Sequence, residues 1–367
     1  MGMKEEFAVK LKRIRDMLEE EELWGCYIKR QDNFAWLTCG GINYVMSGDM
    51  GNCGLLVTEK ELFAITNNVE GPRMKEEEKL EELGFEIRSG LWYEGDFEQK
   101  TIKEICGDKP LGYDQEGRGK NLTSRIKLLR ASLTQEEIAR YMEGGRLVSR
   151  LMEETAASIR PGETERAVAS RAASRAIEEG FEPLSIFCSC DERILRYRHA
   201  ITTGKVIEKR VQLGCNIRYK GLVIGCTRFV SLGPADEDFR RQYRDNTEIS
   251  CRMIAATVPG VSYQEPLLAG KAAYEELGYP EEFGKHHQGG SIGYQARDCR
   301  VDFSCNDIIA ENQAFCWNPS ITGTKSEDTF ITSESGIRFV TRPFFYPALE
   351  LEVGGKIFRR AGILEKY

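Results

Sequence analysis

The stretch RYRHAITTGKVIEKRVQLGCNIRYKGLVIGCTRF, residues 196–229, decides the reading of this chain, and it carries His199. The chain has only three histidines; the other two, His286 and His287, sit together in GKHHQGGSIGYQARD, residues 284–298. A third block, AFCWNPSITGTKSEDTFI, follows at 314–331 and brings Glu327 and Asp328. All three histidines therefore fall in Gly-rich blocks that read as the walls of one active site.

Outward from these blocks, 367 residues exceed one ordinary core and point to about two domains. The composition, 41% hydrophobic and 30% charged, is that of a folded globular chain. No apolar run approaches the roughly 18 to 20 residues of a membrane span. The opening MGMKEE lacks the basic-then-apolar pattern of a signal peptide, so a cytoplasmic protein is expected, with no membrane partner. The net charge is −7, and Lys and Arg are scattered without the basic stripe that nucleic-acid binding needs. Twelve cysteines show one short pairing, Cys188-x-Cys190. With no second Cys or His pair at finger spacing, free buried thiols are expected, not disulfides or zinc.

Residues 1–130 alternate helix and strand, the texture of a small α/β domain with a mixed sheet, and the first domain is taken as 1–125. Phe7, Leu11, Ile14 and Leu18 share one face of a helix over 4–22. Strands are expected at 25–30, 33–39, within 53–67, at 85–93 and at 110–114, with a helix over 67–84. Trp36, Trp92 and Tyr93 are core candidates. The second domain, 126–367, opens with Thr134 and Glu137 as a capping box before a long amphipathic helix. It contains a weak repeat: RPGETERAVASRAASRAIEEGF (160–181) and VPGVSYQEPLLAGKAAYEELGY (258–279) each run from Pro-Gly into a helix, and histidine follows each. Two such units about a pseudo-twofold would bring the histidines together.

The three blocks, in order and spacing, resemble the catalytic half of the creatinase / aminopeptidase P / prolidase / methionine aminopeptidase superfamily. DNFAWLTCGG (32–41) extends the resemblance to the creatinase-type N-terminal domain, at what would be a strand and turn. The resemblance implies an α/β (α+β) pita-bread fold, a curved antiparallel sheet with the site in its concave face. It also implies a homodimer in which a neighbouring N-terminal domain can close over the site. Most members hold two divalent metals with two Asp, one His and two Glu. Alignment through Tyr219-x-Gly221, Thr227-Arg228, Ile292-Gly293 and Glu327-Asp328 places Gly214, Gly225, Gly290 and Asn318 at four ligand positions. Only Glu327 keeps its identity. One carboxylate cannot hold a pair of dications, which need a dense set of anionic oxygens, so no bound metal and no other cofactor is expected.

Creatinase shares the fold and cleaves a C–N bond without metal. The resemblance to it places His199 at the catalytic histidine and keeps Arg297 and Glu327, but Gly225 departs from it, which puts creatine itself in doubt. A histidine titrates near neutrality, so His199 can move a proton between water and a leaving nitrogen. Glu327, beside Asp328, can support the imidazolium, and Arg297 offers a planar fork for a carboxylate or oxyanion. His286, His287, Asn318 and Asp328 are candidates for binding substrate. The structural alternative for Arg297, Glu327 and Asp328 is an ion network, and Arg228 is read as structural. The expected activity is hydrolysis of a small C–N bonded substrate, amide, amidino or short peptide, without metal. A non-catalytic pseudo-peptidase that binds such a molecule and an atypical metallo-aminopeptidase or prolidase remain as rival readings.

Overall fold

The computed structural model describes residues 2–367, and the chain divides into two units, Met1–Glu137 and Ile138–Tyr367. The division falls later than 125 because buried ion pairs hold the intervening segment to the first unit. Arg130 Nη1 lies 2.7 Å from Asp32 and 2.6 Å from Asn33 Oδ1. Lys10 Nζ lies 2.8 Å from Glu137 and 2.6 Å from Glu6, with all three side chains buried.

In the first unit, six strands form one mixed sheet: β1 (Gly25–Arg30), β2 (Met50–Thr58), β3 (Leu62–Asn67), β4 (Glu86–Gly90), β5 (Leu111–Tyr113) and β6 (Lys120–Asn121), in the order β4-β3-β2-β1-β5-β6. The helix Met3–Glu20 buries Phe7, Ile14 and Leu18, and Leu11 is half-buried. Two expectations fail here. The run expected as a strand at 33–39 is a fully buried helix, Gln31–Leu37, with Trp36 in the core. Short apolar runs do not distinguish a buried strand from a buried helix. Here the ladder of β1 ends because Asp114 takes the amides of Lys29 and Arg30 at 3.0 and 2.9 Å. The helix expected over 67–84 breaks into Gly71–Glu76 and a short turn at Leu80–Leu83, separated by Lys79 at φ +53°. Trp92 and Tyr93 are not core residues; they stand 68% and 65% exposed.

The capping box expected ahead of the long helix is present. Thr134 N donates to Glu137 Oε2 at 2.7 Å and Glu137 N to Thr134 Oγ1 at 3.2 Å, a reciprocal cap at the start of the helix Gln135–Ser158. One sheet runs β17 (Ile363–Lys366), β9 (Leu222–Leu232), β8 (Arg210–Tyr219), β7 (Glu182–Cys190); β7, β8 and β9 are antiparallel, while β17 joins β9 in parallel. The other runs β11 (Cys299–Arg300), β10 (Gly289–Ser291), β12 (Gln313–Trp317), β13 (Phe330–Ser333), β14 (Gly336–Phe339). An antiparallel bridge between Cys226, in β9, and Asp328, just before β13, joins the two. β15 (Ala348–Val353) and β16 (Lys356–Ala361) form a separate hairpin.

The repeat is duplicated at the level of single hydrogen bonds. Gly162 N donates to Ile207 O and Ile207 N to Glu163 O; in the second copy Gly260 N donates to Ile309 O and Ile309 N to Val261 O. Thr164 bridges Val206 as Ser262 bridges Ile308. Gly162 and Gly260 adopt φ +86° and +88°, and each is followed by a helix, Glu165–Glu178 or Gln264–Glu276. Two equivalent helix-strand units thus flank the joined sheets. All twelve cysteines are free, and Cys188 and Cys190 are buried. Among the described residues, no helix is long and apolar enough to cross a membrane.

Candidate active site

The second unit contains a cavity of about 340 Å³ lined by residues from all three Gly-rich blocks, including His199, His287, Arg297, Asn318, Lys325 and Glu327. Its floor is the β8–β9 hairpin, turned tightly by Lys220 and Gly221 at φ +46° and +83°. Two consecutive left-handed residues are what a two-residue hairpin needs to match strand twist.

His199 lies on the loop after the helix Glu192–Arg196, and His286 and His287 lie between the helix Pro280–Phe283 and β10. A charged clamp brings these distant segments together. Arg198 pairs with Glu282 and donates to Thr322 Oγ1 at 2.9 Å, while Thr322 N donates to Glu282 at 2.8 Å. Burial alone would raise the Glu282 carboxyl; Lys285, Arg198 and Thr322 instead hold it at about 2. The result places His199 Nε2 3.1 Å from His286 Nε2, with ring centroids 4.8 Å apart, and the His287 ring 5.6 Å from that of His199. His287 lines the cavity, whereas His286 stands against His199. Burial and the nearby Lys325 lower all three imidazoles: His199 below its ordinary value, His286 to about 2 and His287, where Arg297 follows burial, to about 4.

Glu327 is the buried anion of the cavity. It accepts from Thr227 Oγ1 at 2.7 Å and from Arg297 Nη2 at 3.2 Å, and Lys325 Nζ stands 3.6 Å away. Burial raises its carboxyl, but Lys325, Arg297 and the Thr227 hydroxyl prevail and hold it at about 2. Neighbouring Asp328 turns the other way, because successive side chains of an extended segment point to opposite faces. Asp328 faces away from the cavity, 3.0 Å from Arg228 Nη1, 3.1 Å from Arg360 Nη2 and 2.8 Å from Thr341 Oγ1. Placed thus, it is part of a buried ion network and not of the substrate surface. Arg228, fully buried, is structural as expected.

His199, Arg297 and Glu327 thus share one cavity with His287 and Asn318. Sequence reasoning missed Lys325, which reaches Glu327 from two residues away, and Asn216, Gln212 and Arg198, which also line it. For Lys325 a signal existed: positions 325 and 327 of an extended segment share a face.

Of the five positions that the resemblance aligns with metal ligands, only Glu327 carries an anionic side chain that could ligate a hard dication, and Gly290 leaves no room for one. Gly290 has φ +151°, and a Cβ there would meet Cys299 O at 1.9 Å, so no histidine can occupy it in this backbone. A Cβ at Gly225 would meet Asn216 Oδ1 at 3.1 Å and Cys316 Sγ at 3.2 Å; one at Gly214 would meet Thr227 Oγ1 at 3.1 Å. Asn318 is neutral, and Glu327 is already neutralised by two cations. These residues do not fit a carboxylate-bridged pair of dications.

Comparison with known proteins follows the same lines. The model for metallopeptidase family M24 matches residues 139–341. No curated protein matches the sequence. Among solved structures, an Xaa-Pro dipeptidase from Bacillus anthracis is 21% identical with a TM-score of 0.75, covering 92% of this chain and 98% of that one. An X-Pro aminopeptidase from Thermotoga maritima is 19% identical with a TM-score of 0.76, covering 96% and 99%. The prolidase from Pyrococcus horikoshii is 18% identical with a TM-score of 0.77, covering 91% and 98%. At these identities the likeness establishes the fold.

Proposed function

The chain belongs to metallopeptidase family M24, and on that premise we propose that it hydrolyses a small C–N bonded substrate, an amide, amidine or short peptide, without the paired metals of its family. The observation that carries this reading is the ion triad of Glu327 with Arg297 and Lys325 in a cavity overhung by His199. Two positive side chains flank the one carboxylate that the resemblance aligns with a family ligand. The cavity volume is at the lower end for small-molecule sites, which run from about 300 Å³ upward.

The lowered pKa of His199 keeps its imidazole neutral at pH 7, as a general base requires. It takes a proton from water while the resulting hydroxide attacks the substrate carbon. Arg297, whose Nε has no protein partner, stabilises the oxyanion or holds a substrate carboxylate. The imidazolium then delivers its proton to the leaving nitrogen as the C–N bond breaks, with Glu327 favouring the imidazolium against the opposing charges of Lys325 and Arg297. Asn318 Oδ1, buried without a protein partner, accepts a substrate N–H. Homodimerisation, implied by the family resemblance, and cytoplasmic residence, expected from the opening of the sequence, belong to this reading.

The test is hydrolysis of a panel of amidino acids, N-acyl amino acids and dipeptides in chelator. Wild type should turn over a member of the panel and His199→Ala should not, while both bind it. Turnover that requires added manganese, cobalt or zinc would overturn the reading. A second reading, a non-catalytic binder, draws on the same triad, since Glu327 already has its charge matched; it predicts binding by both proteins and product from neither.

A further inference from the structure

Three neutral imidazoles converge beside this cavity, and their ring nitrogens have more capacity than the protein uses. One ligand atom from each of His199, His286 and His287 lies within 4.8 Å of the others. His199 and His286 point Nε2 at Nε2 across 3.1 Å, a contact in which only one of the two nitrogens can carry the proton. Nδ1 of His286 and Nδ1 of His287 are buried without a protein hydrogen-bond partner.

We propose that His199, His286 and His287 form a site for a single transition-metal ion bound by imidazole, zinc, nickel or copper in kind, and that the ion switches the pocket off. Metal–imidazole bonds are about 2.05 Å, so nitrogens 3.1 Å apart subtend roughly 98° at a shared ion, between octahedral and tetrahedral angles. The third nitrogen closes the set by rotation of one side chain. Neutral imidazoles suit zinc, nickel and copper and offer nothing to magnesium or calcium, which require oxygen ligands. His199 is exposed, which supplies an entry path.

The surroundings make this an exchangeable ion. Lys325 and Arg297 repel a cation, and the buried Nδ1 of His286 lacks the acceptor that usually orients a ligating ring. The site is separate from the family's cage, whose positions are Gly214, Gly225, Gly290, Asn318 and Glu327. The switching part of the proposal rests on His199 being the base, because an ion bound to its ring occupies the lone pair that would accept the proton from water.

The experiment is a cobalt(II) titration of the full-length, chelator-stripped protein, read by visible absorption, with zinc as competitor. One ion per chain is expected. His286→Gln and His287→Gln should each weaken binding by more than the roughly 10–100-fold that loss of an outer partner costs, with melting temperature as the check on folding. Lys325→Gln should tighten binding, because it removes a nearby positive charge; a site at Glu327 would not respond to the histidine changes. No absorption, or affinity indifferent to both histidine changes in folded protein, overturns the site. Zinc should inhibit and chelator restore any hydrolysis; turnover unchanged or raised by the bound ion overturns the switch. If no substrate is ever turned over, the hydrolase reading fails, and the cobalt titration still decides the site.

Discussion

Arg297 Nη2 stands 3.2 Å from Glu327 Oε1, so a guanidinium meets the carboxylate that the resemblance aligns with a family metal ligand. The two form a buried ion pair, and Lys325 completes the neutralisation from the other oxygen. Removing the acid should expose this. Glu327→Gln leaves two cations facing each other in a largely buried space and should cost about 3 kcal/mol in denaturant unfolding, with loss of turnover. A variant as stable as wild type would show that the triad is not a stabilising element.

Asp328, one residue on, has a different task. It is held between Arg228 and Arg360 with side chains at most 4% exposed. Asp328→Asn should destabilise by about 3–5 kcal/mol, the usual cost of stripping a partner from a buried ion network. A folded, fully stable variant whose substrate affinity alone is reduced would return Asp328 to the binding surface.

Gly290 and Gly214 should differ although the resemblance aligns both with ligand positions. Gly290→Ala forces a Cβ toward Cys299 O at 1.9 Å from a left-handed φ and should cost roughly 2–5 kcal/mol. Gly214→Ala meets only Thr227 Oγ1 at 3.1 Å, so its loss should be about 1 kcal/mol or less. Thermal unfolding of the two variants side by side reads the difference.

Acidification should act in two stages. The three imidazoles have folded-state pKa values below the ordinary 6.5, so the unfolded chain takes up their protons first and stability falls as pH drops below 6.5. Glu282 and Glu327, held at about 2, contribute stability that is complete above about 4.5 and lost as pH falls toward 2. The acid limb of any turnover should have its midpoint below 6.5, because His199 must be neutral to act. An acid limb centred above 6.5 would exclude His199 as the base.

The clamp under the histidines gives a further check. Glu282→Gln keeps the shape but weakens the charged contacts to Arg198 and Lys285, and should free the loop that carries His199. Faster amide exchange at residues 197–201, with lower kcat and little change in melting temperature, is the expected pattern. Unchanged exchange would show that the loop is held by other contacts.

Much was legible in the chain itself. Fixed spacings between Gly-rich blocks pointed to the fold, the Thr134–Glu137 cap announced its helix, and the two Pro-Gly starts proved to carry the same backbone hydrogen bonds. Such features depend on local conformation, which nearby residues dictate. The resemblance also aligned glycine or asparagine with four ligand positions, which is a matter of residue identity. Only tertiary structure decided which way each side chain faces. It separated Glu327 from Asp328, joined His199 to His286 across 87 residues, brought Lys325 into the cavity and made a helix of Gln31–Leu37. Those outcomes depend on which distant groups share a low-dielectric space, and the charges there set one another's state.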